Sequence, residues 1–412
     1  MAEAVSLEQT DPYSVDLAEI DVSRPSLMQN DIHWAYFDRL RNEDPVHYCQ
    51  DSAFGPYWSI TKFNDIMEVE KNPEDFSSAA GIVLVDRPED FETTNFIGMD
   101  PPKHDVQRKT VQGVVAPMNL AILEDTIRSR AAKILDSVPV GETFNWVEQV
   151  SVELTTQMLA TIFDFPFEDR RKLTYWSDMA TSGELAGGTT PEPMRRAALL
   201  ECLETFTRLR EDRLKEDPKP DLLSMLAHGK DTQNMPPMEF LGNLILLIVG
   251  GNDTTRNSIS GGVYFLNQFP EQYDKLRADH GLIPNMVSEI IRFQTPLAYM
   301  RRTATRDLEF RGKQMKAGDK VAMWYVSGNR DEEAIDRPYE FLIDRARARH
   351  HLSFGFGVHR CMGNRLAEMQ LRVLWEEIMQ RFHSIEVVGP VERVQSNFVR
   401  GYAQLPVRVH PL

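Results

Sequence analysis

One stretch of the sequence combines a cysteine with three glycines at the entrance of a predicted helix. Residues 354–363 read FGFGVHRCMG, and residues 364–382 carry apolar side chains at helical spacing. Cys361 is therefore expected where backbone N–H groups and the helix dipole favour a thiolate over a thiol. Glycine lets the backbone approach a flat ligand closely. The pattern predicts that Cys361 is a metal ligand.

Two other interpretations of Cys361 stay open on the residues alone. A single cysteine in a helical region is often a small buried hydrophobic side chain. His350, His351 and His359 lie nearby in the sequence and could join Cys361 in a zinc site. Structural zinc sites, however, take four ligands that usually include paired cysteines, and this region has one cysteine.

The stretch resembles the haem-binding signature of the cytochromes P-450, F-x-x-G-x-x-x-C-x-G, at Phe354, Gly357, Cys361 and Gly363. The resemblance extends from about residue 30 to the end of the chain. It implies that the cofactor is haem b (iron protoporphyrin IX), with Cys361 as the proximal ligand to the iron and with Phe354 and Gly355 against the haem. It also implies a mainly α fold with small β-sheets, in which a long central helix passes over a buried haem.

A long helix is predicted over residues 238–269, where apolar residues recur at helical spacing up to Pro270. About 30 helical residues span about 45 Å, a length that only a central helix of a large domain needs. Its middle, residues 250–254, reads GGNDT. This polar interruption is either a place where the helix opens locally to admit water or oxygen, or a hinge whose side chains satisfy the backbone.

The GGNDT segment resembles the oxygen-activation motif of the cytochromes P-450, (A/G)-G-x-(D/E)-T. The resemblance implies two catalytic residues. Asp253 would relay protons from solvent, and the Thr254 hydroxyl would hydrogen-bond the reacting oxygen. The acid–alcohol pair favours an oxygen-activating monooxygenase over two alternatives, namely a haem protein that binds or senses without turnover and a peroxide-driven haem enzyme.

Three charged residues match the structural motif of the same family. Glu289 and Arg292 are three residues apart, which puts them on one face of a helix, and they match E-x-x-R. Arg345 stands where the family has a later arginine. The resemblance implies a structural triad that holds the loop with the cysteine.

Four basic residues match the positions that grip the two haem propionates, the carboxylates of the cofactor. Buried carboxylates are costly unless they are paired with cations. Each residue alone would be read as a surface charge, but together they supply that pairing. They are His104, Arg108, Arg302 and His359.

The substrate is expected to be hydrophobic. Overall likeness is greatest to the bacterial alkane and fatty-acid terminal (omega) hydroxylases, which implies medium-chain linear substrates. A terpene or steroid pocket would also be apolar, so that alternative stays open. Family position predicts six residues in the substrate pocket: Leu246, Val249, Gly250, Leu297, Phe398 and Val399.

Electrons are expected from a separate protein, because no flavin or iron–sulfur segment accompanies the haem signature. Residues 344–372 carry six arginines against Asp344 and Glu368, in a chain of net charge −16. A local basic surface can steer an acidic partner, so we expect a 2Fe–2S ferredoxin with its NAD(P)H-dependent reductase. The alternative is a solvated face in which some of these arginines are structural.

Composition restricts the remaining possibilities. The net charge of −16 and the absence of a basic stripe argue against a nucleic-acid partner. Three widely spaced cysteines imply no disulfide framework and fit a reducing compartment. The first residues lack a secretory pattern, and the longest apolar run, at residues 244–249, is too short to span a bilayer. We expect a cytoplasmic enzyme with no integral membrane anchor.

The remaining pattern predicts the elements that position these residues. Short strands are expected at residues 45–61, 308–324 and 396–409, and helices over residues 103–163 and 191–215. Residues 76–96 form either a disordered excursion or the wall of a site. No linker divides the chain, so we expect an N-terminal extension at residues 1–30 and a single haem domain at residues 31–412.

Overall fold

The longest helix passes through the centre of the molecule and carries the polar interruption predicted for it. The computed structural model describes residues 11–412. Helices dominate it, as expected. In chain order they are α1 (Pro25–Gln29), α2 (His33–Glu43), α3 (Phe63–Lys71), α4 (Lys103–Gln112), α5 (Pro117–Ser137), α6 (Glu153–Phe163), α7 (Arg171–Thr181), α8 (Glu192–Arg213), α9 (Leu222–His228), α10 (Pro237–Gln268), α11 (Pro270–Ala278), α12 (Ile283–Gln294), α13 (Tyr325–Gly328) and α14 (Asn364–Met379).

Helix α10 has 32 residues, which corresponds to a length of about 48 Å. Pro237 occupies its first turn, where a missing N–H removes no hydrogen bond, and α11 begins at Pro270. Apolar side chains are buried on several sides of α10, among them Leu244, Ile248 and Ile259. The helix packs against α6, α7, α12 and α14, and this position explains its apolar sequence.

Short strands form small sheets at both ends of the chain. The strands are β1 (Val46–Cys49), β2 (Tyr57–Ile60), β3 (Phe76–Ser77), β4 (Phe144–Asn145), β5 (Met300–Ala304), β6 (Leu308–Phe310), β7 (Lys313–Met315), β8 (Lys320–Met323), β9 (Phe382–Val387), β10 (Glu392–Arg393), β11 (Tyr402–Gln404) and β12 (Pro406–Pro411). The five-stranded sheet has the order β1-β2-β8-β5-β3, and the three-stranded sheet has the order β4-β12-β9. The pairs β6–β7 and β10–β11 form two-stranded sheets.

The strand pairing gives the sheets their register. Val46 lies opposite Ile60 in the antiparallel β1–β2 pair, and Trp58 lies beside Val321 in the parallel β2–β8 pair. The strands predicted at residues 45–61 and 308–324 are confirmed. Of the strands predicted at residues 396–409, those after residue 401 are confirmed, whereas residues 396–401 lie outside the named strands.

The helical periodicity predicted at residues 103–163 is confirmed, and the region divides into three α-helices, α4, α5 and α6. Pro117 begins α5, and a turn and the short β4 separate α5 from α6. Residues 147–152 wind as one π-helical segment into α6. Helix periodicity continues across such breaks, so it cannot locate them.

The boundary predicted at residue 30 does not divide the described chain. Ile20, Val22 and Leu27 are buried in the same apolar cluster as Phe37 and Trp324. Residues 12–29 are thus part of the packed body, and residues 1–10 lie outside the described range. We propose that residues 11–412 form one domain. Across these residues, none of the helices is both long and apolar enough to cross a membrane.

Candidate active site

A cavity of about 440 Å³ lies between the middle of α10 and the glycine-rich loop that carries Cys361. Five of the six predicted pocket residues line it: Leu246, Val249, Gly250, Leu297 and Phe398. Val399 is a correction, because it is buried away from the cavity. Its backbone forms an isolated antiparallel bridge with Leu297, so Val399 supports a wall residue instead of lining the wall.

The long segment after β3 forms a second wall of the cavity. Its apolar side chains line the cavity: Ile82, Val83, Val85, Phe91, Phe96 and Ile97. Of the two interpretations of residues 76–96, the wall of a site is the one that the structure bears out. The length of the segment was the sequence signal for it.

Backbone geometry turns Cys361 toward the cavity. The Cys361 amide donates to the carbonyl oxygen of Phe354 over 2.8 Å, and α14 begins three residues later. Gly355 and Gly357 have φ angles of 64° and 65°, a region that favours glycine. A Cβ atom at Gly357 would overlap the carbonyl oxygen of Glu70. The glycines are therefore required by the path of the loop and by its close approach to α3.

Opposing effects act on the pKa of the Cys361 thiol. Burial raises the pKa of the Cys361 thiol, while backbone N–H groups of Gly363 and Asn364 and the charges of Arg108 and Arg360 act in the opposite direction. The helix entrance contributes as predicted, but burial outweighs it. A coordinated metal ion deprotonates a thiol directly, so the raised pKa is compatible with a thiolate ligand.

The three residues of the predicted ion-pair triad lie together, with Glu289 and Arg292 fully buried and the Arg345 side chain 8% exposed. Arg292 donates to both carboxylate oxygens of Glu289 over 2.8 Å, and Arg345 donates to the same carboxylate over 2.9 Å. Hydrogen bonds from both arginines lower the pKa of Glu289 although burial raises it. Glu289 is thus an anion that two cations hold in place.

The triad connects to the cysteine loop through Asn329. Arg292 donates to the carbonyl oxygen of Asn329 over 2.9 Å. The Asn329 side chain accepts from the Leu352 amide over 2.7 Å and donates to the Ser353 hydroxyl over 2.9 Å. These bonds hold the start of the loop against α12, which is the role that the resemblance implied for the triad.

Helix α10 is continuous through residues 250–254, so it does not open locally in this structure. Thr254 lines the cavity, and its hydroxyl donates to the Gly250 carbonyl oxygen over 2.8 Å. The hydroxyl oxygen keeps lone pairs available toward the cavity. A Cβ atom at Gly250 would meet no atom within 4 Å. Gly250 therefore leaves open space beside the Thr254 hydroxyl.

Asp253 points away from the cavity, toward α7. It is fully buried, forms an ion pair with Arg256 and accepts from the Ser177 hydroxyl over 3.1 Å. Burial raises the pKa of Asp253, and the charge of Arg256 opposes that shift. Arg256 also pairs with the half-exposed Asp178 over 3.0 Å. The predicted acid–alcohol pair is thus divided between two faces of α10.

The four predicted propionate-binding residues lie near one another at the edge of the cavity. The rings of His104 and His359 are 4.4 Å apart, and Arg108 donates to the Arg360 carbonyl oxygen. His104 is buried behind the lining, whereas Arg108, Arg302 and His359 line the cavity. Arg302 already pairs with the buried Glu70 over 2.7 Å, a partner that the sequence analysis missed because 232 residues separate the two.

Two ring nitrogens at this edge are buried without a hydrogen-bond partner in the described chain: Nε2 of His104 and Nδ1 of His359. Buried polar nitrogens are normally satisfied. Burial, then the charges of Arg302, His104 and Arg108, lowers the pKa of His359 to about 2. Its ring is therefore neutral, and Ser78 already contacts its Nε2 over 3.0 Å.

The zinc alternative finds no support. Within residues 11–412, no three His, Cys, Asp or Glu side chains lie together as a group that could hold a metal ion. The ring of His350 packs on Phe63, and the ring of His351 packs on Phe354. Cys361 thus offers a single sulfur to the cavity, and a cofactor bound there must bring its other iron ligands with it.

Haem fits these residues. It takes one protein thiolate while the porphyrin supplies four nitrogens, and it carries two carboxylates for which the unpartnered imidazole nitrogens and Arg108 are placed. Phe354, Gly355 and Cys361 line the same cavity as the middle of α10. The fold and the site together define a haem-thiolate protein.

The chain belongs to the cytochrome P-450 family, whose model matches residues 192–397. A linalool 8-monooxygenase of Pseudomonas putida is 34% identical over 95% of this chain and 99% of its own. A methyl-branched lipid omega-hydroxylase of Mycobacterium bovis is 32% identical over 98% of both chains. The solved structure of CYP153D17 from a Sphingomonas species is 50% identical, covers 94% of this chain and 98% of its own, and superposes with a TM-score of 0.90.

Family membership confirms the expected fold, cofactor and reaction type. The family binds haem b, and the matched relatives are monooxygenases. The chain is therefore a haem b monooxygenase, which sets aside the alternative of a haem protein without turnover.

Replacing Cys361 tests its assignment as the iron ligand. We expect Cys361→Ala to abolish the strongly red-shifted Soret band that carbon monoxide produces with a reduced thiolate-ligated haem. The measurement is the absorption spectrum of the reduced protein with and without carbon monoxide. Cys49→Ala is the matched control, because Cys49 is buried outside the cavity, and it should keep the band. A red-shifted band in Cys361→Ala would reject the assignment.

Proposed function

We propose that this monooxygenase hydroxylates the terminal carbon of medium-chain linear alkanes or fatty acids. The observation that carries the proposal is the aliphatic wall around Gly250. Leu246, Val249 and Leu297 line the cavity there, and open space lies over Gly250 itself. An apolar lining that includes Thr254 suits the end of an unbranched chain. The name of the omega-hydroxylase relative supports terminal attack.

Terminal selectivity needs shape, because a terminal methyl C–H bond is stronger than the neighbouring methylene bonds. A loose pocket would give subterminal alcohols. A tenfold bias costs about 1.4 kcal/mol of differential transition-state binding, which a few apolar contacts can supply. Leu297 lies just beyond the end of α12, next to Pro296. Its backbone bridge to Val399 keeps it against the cavity. We assign to Leu297 the exclusion of the penultimate carbon.

The bound haem would supply the iron at which dioxygen is reduced and oxygen is inserted into a C–H bond. The protein supplies position and protons. Thr254 would hold a hydroxyl beside the reacting oxygen, and the buried Asp253 would hold and release a proton behind it, since burial raises its pKa. The apolar lining would keep bulk water from the reaction.

Two features bear on the head group of the substrate. Arg87 lines the cavity, and its ion pair with Glu92 spans 3.9 Å, so its guanidinium could pair with a fatty-acid carboxylate. The name of the linalool relative keeps a terpene as the second candidate, because an apolar lining serves both. A fatty acid is the substrate that uses both the aliphatic wall and Arg87.

Product regiochemistry tests the proposed substrate. We expect dodecane and dodecanoic acid to be oxidised chiefly at the terminal carbon, and Leu297→Ala to shift about tenfold toward the penultimate carbon, because the excluding side chain is lost. Gas chromatography of the products measures both. Leu200→Ala is the matched control, since Leu200 is exposed outside the cavity.

Mainly internal oxidation by the native enzyme, or binding of terpenes and steroids alone, would reject the linear substrate and leave the haem-thiolate assignment standing. An unchanged product ratio in Leu297→Ala would reject only the role of that residue.

Replacing Thr254 tests its catalytic role. We expect Thr254→Ala to consume reducing equivalents while hydrogen peroxide replaces most of the alcohol, because the hydroxyl beside the reacting oxygen is lost. A loss of about 1.4 kcal/mol would lower the yield per electron about tenfold. Thr254→Ser keeps the hydroxyl and should keep the yield. Product and peroxide per NAD(P)H are the measurements, and equal yields in the alanine and native enzymes would contradict the role.

The proposed electron donor is a 2Fe–2S ferredoxin with an NAD(P)H-dependent reductase. Of the six arginines at residues 344–372, Arg345 belongs to the triad and Arg372 pairs with Glu124 and Glu376. Arg347, Arg349, Arg360 and Arg365 are exposed. Arg360 and Arg365 flank Cys361 in the chain, and Arg349 pairs with Glu368 of α14 over 3.6 Å. The four exposed arginines form the proposed docking surface. The unpaired cysteines of the described chain suit a cytoplasmic location.

Charge reversal tests that docking surface. We expect Arg347→Glu to slow reduction by the ferredoxin at low salt, where screening is weak, and to leave substrate binding unchanged. The effect should shrink at high salt. Lys230→Glu is the matched control, because Lys230 is exposed on the loop between α9 and α10. Stopped-flow reduction at two ionic strengths is the measurement, and a rate unaffected by both charge and salt would place docking elsewhere.

A further inference from the structure

A buried carboxylate outside the predicted site lies on the wall of the same cavity. Glu70 stands near the end of α3, and its side chain is 1% exposed. Its Oε2 accepts from Arg302 over 2.7 Å, and its Oε1 accepts from the Tyr325 hydroxyl. Glu70, Arg302 and Tyr325 all line the cavity. The two hydrogen-bond donors offset the free energy of burying this carboxylate, which would be costly to bury without a partner.

The loop of Cys361 rests directly on this carboxylate. A Cβ atom at Gly355 would lie 3.3 Å from Oε1 of Glu70 and 3.5 Å from the Tyr325 hydroxyl oxygen. A Cβ atom at Gly357 would overlap the Glu70 carbonyl oxygen. Both positions require glycine, so the loop has no side chain between its backbone and Glu70. The carboxylate is therefore close to the segment that holds the iron ligand.

Glu70 also changes the charge balance at the edge of the haem site. Nη1 of Arg302 donates to the Arg301 carbonyl oxygen over 2.9 Å, and Nη2 donates to Glu70. Arg302 is thus a cation whose charge is already countered by Glu70. A negative charge at a poorly solvated position stabilises the oxidised, more positive state of a nearby redox group over its reduced state.

We propose that Glu70 sets the reduction potential of the haem. It is a positioning residue that holds Arg302 and the cysteine loop, and its negative charge stabilises the ferric over the ferrous iron. The couple concerned is the one-electron reduction of the iron, with the electron supplied by the redox partner. The inference depends on haem binding by the family and is independent of the proposed substrate, so the two can fail separately.

The test measures the midpoint potential of substrate-free holoenzyme by spectroelectrochemistry. Glu70→Gln keeps the shape of the side chain and removes its charge. We expect the ratio of ferrous to ferric haem at a fixed potential to rise by about threefold to tenfold, and tenfold is about 59 mV for a one-electron couple. Glu70→Asp keeps the charge and should keep the native potential. Glu74→Gln, an exposed site on the same segment, is the control for the same change of charge.

A second variant gives a shift of opposite sign. The Tyr325 hydroxyl directs its proton at the Glu70 carboxylate and partly cancels its field. Tyr325→Phe should therefore lower the potential, and this result decides the matter if Glu70→Gln does not retain haem. An unchanged potential in Glu70→Gln, an equal shift in Glu70→Asp or Glu74→Gln, or a raised potential in Tyr325→Phe would each overturn the proposal.

Discussion

The buried carboxylate of Glu289 is the point from which the haem side of the cavity is held. Arg345 and Arg292 both bind it, and Arg292 also donates to the Asn329 carbonyl oxygen. The Asn329 side chain in turn accepts from the Leu352 amide, just before the glycine-rich loop. Breaking one partner of a buried ion pair typically costs about 3–5 kcal/mol, since a charge is left uncompensated. A loop of glycines has little stiffness of its own. The network therefore provides the rigidity that Cys361 needs to face α10.

Across the cavity from that loop, one turn of α10 places side chains both in the cavity and in a buried polar cluster. Thr254 faces the cavity, while Asp253 faces α7 and the ion pair with Arg256. Adjacent residues on a helix point about 100° apart, so neighbours in the motif cannot share one face. The polar motif thus joins the apolar reaction space to a buried polar cluster that reaches the surface at Asp178.

The edge of the cavity is balanced in charge. Arg302 is countered by Glu70, and His104 and His359 each present a buried ring nitrogen that has no hydrogen-bond partner in the described chain. Buried charges are tolerated when each is matched. A matched cation and unpartnered ring nitrogens are both in place for the two haem carboxylates. Glu70 contributes by pairing with Arg302, although Glu70 belongs to none of the sequence motifs.

Local sequence determined the features that depend on neighbouring residues: the helix entrance at Cys361, the glycines that its loop requires, the length of α10 and the strands of both ends. It also determined the haem-thiolate class, because that chemistry needs its residues at fixed short spacing. Tertiary structure alone decided the rest. The pairing of Glu70 with Arg302, the burial of Val399, the orientation of Asp253 and the inclusion of residues 12–29 in the core depend on contacts between distant segments. Periodicity records which side of an element is buried, but it cannot tell which distant segment will cover that side.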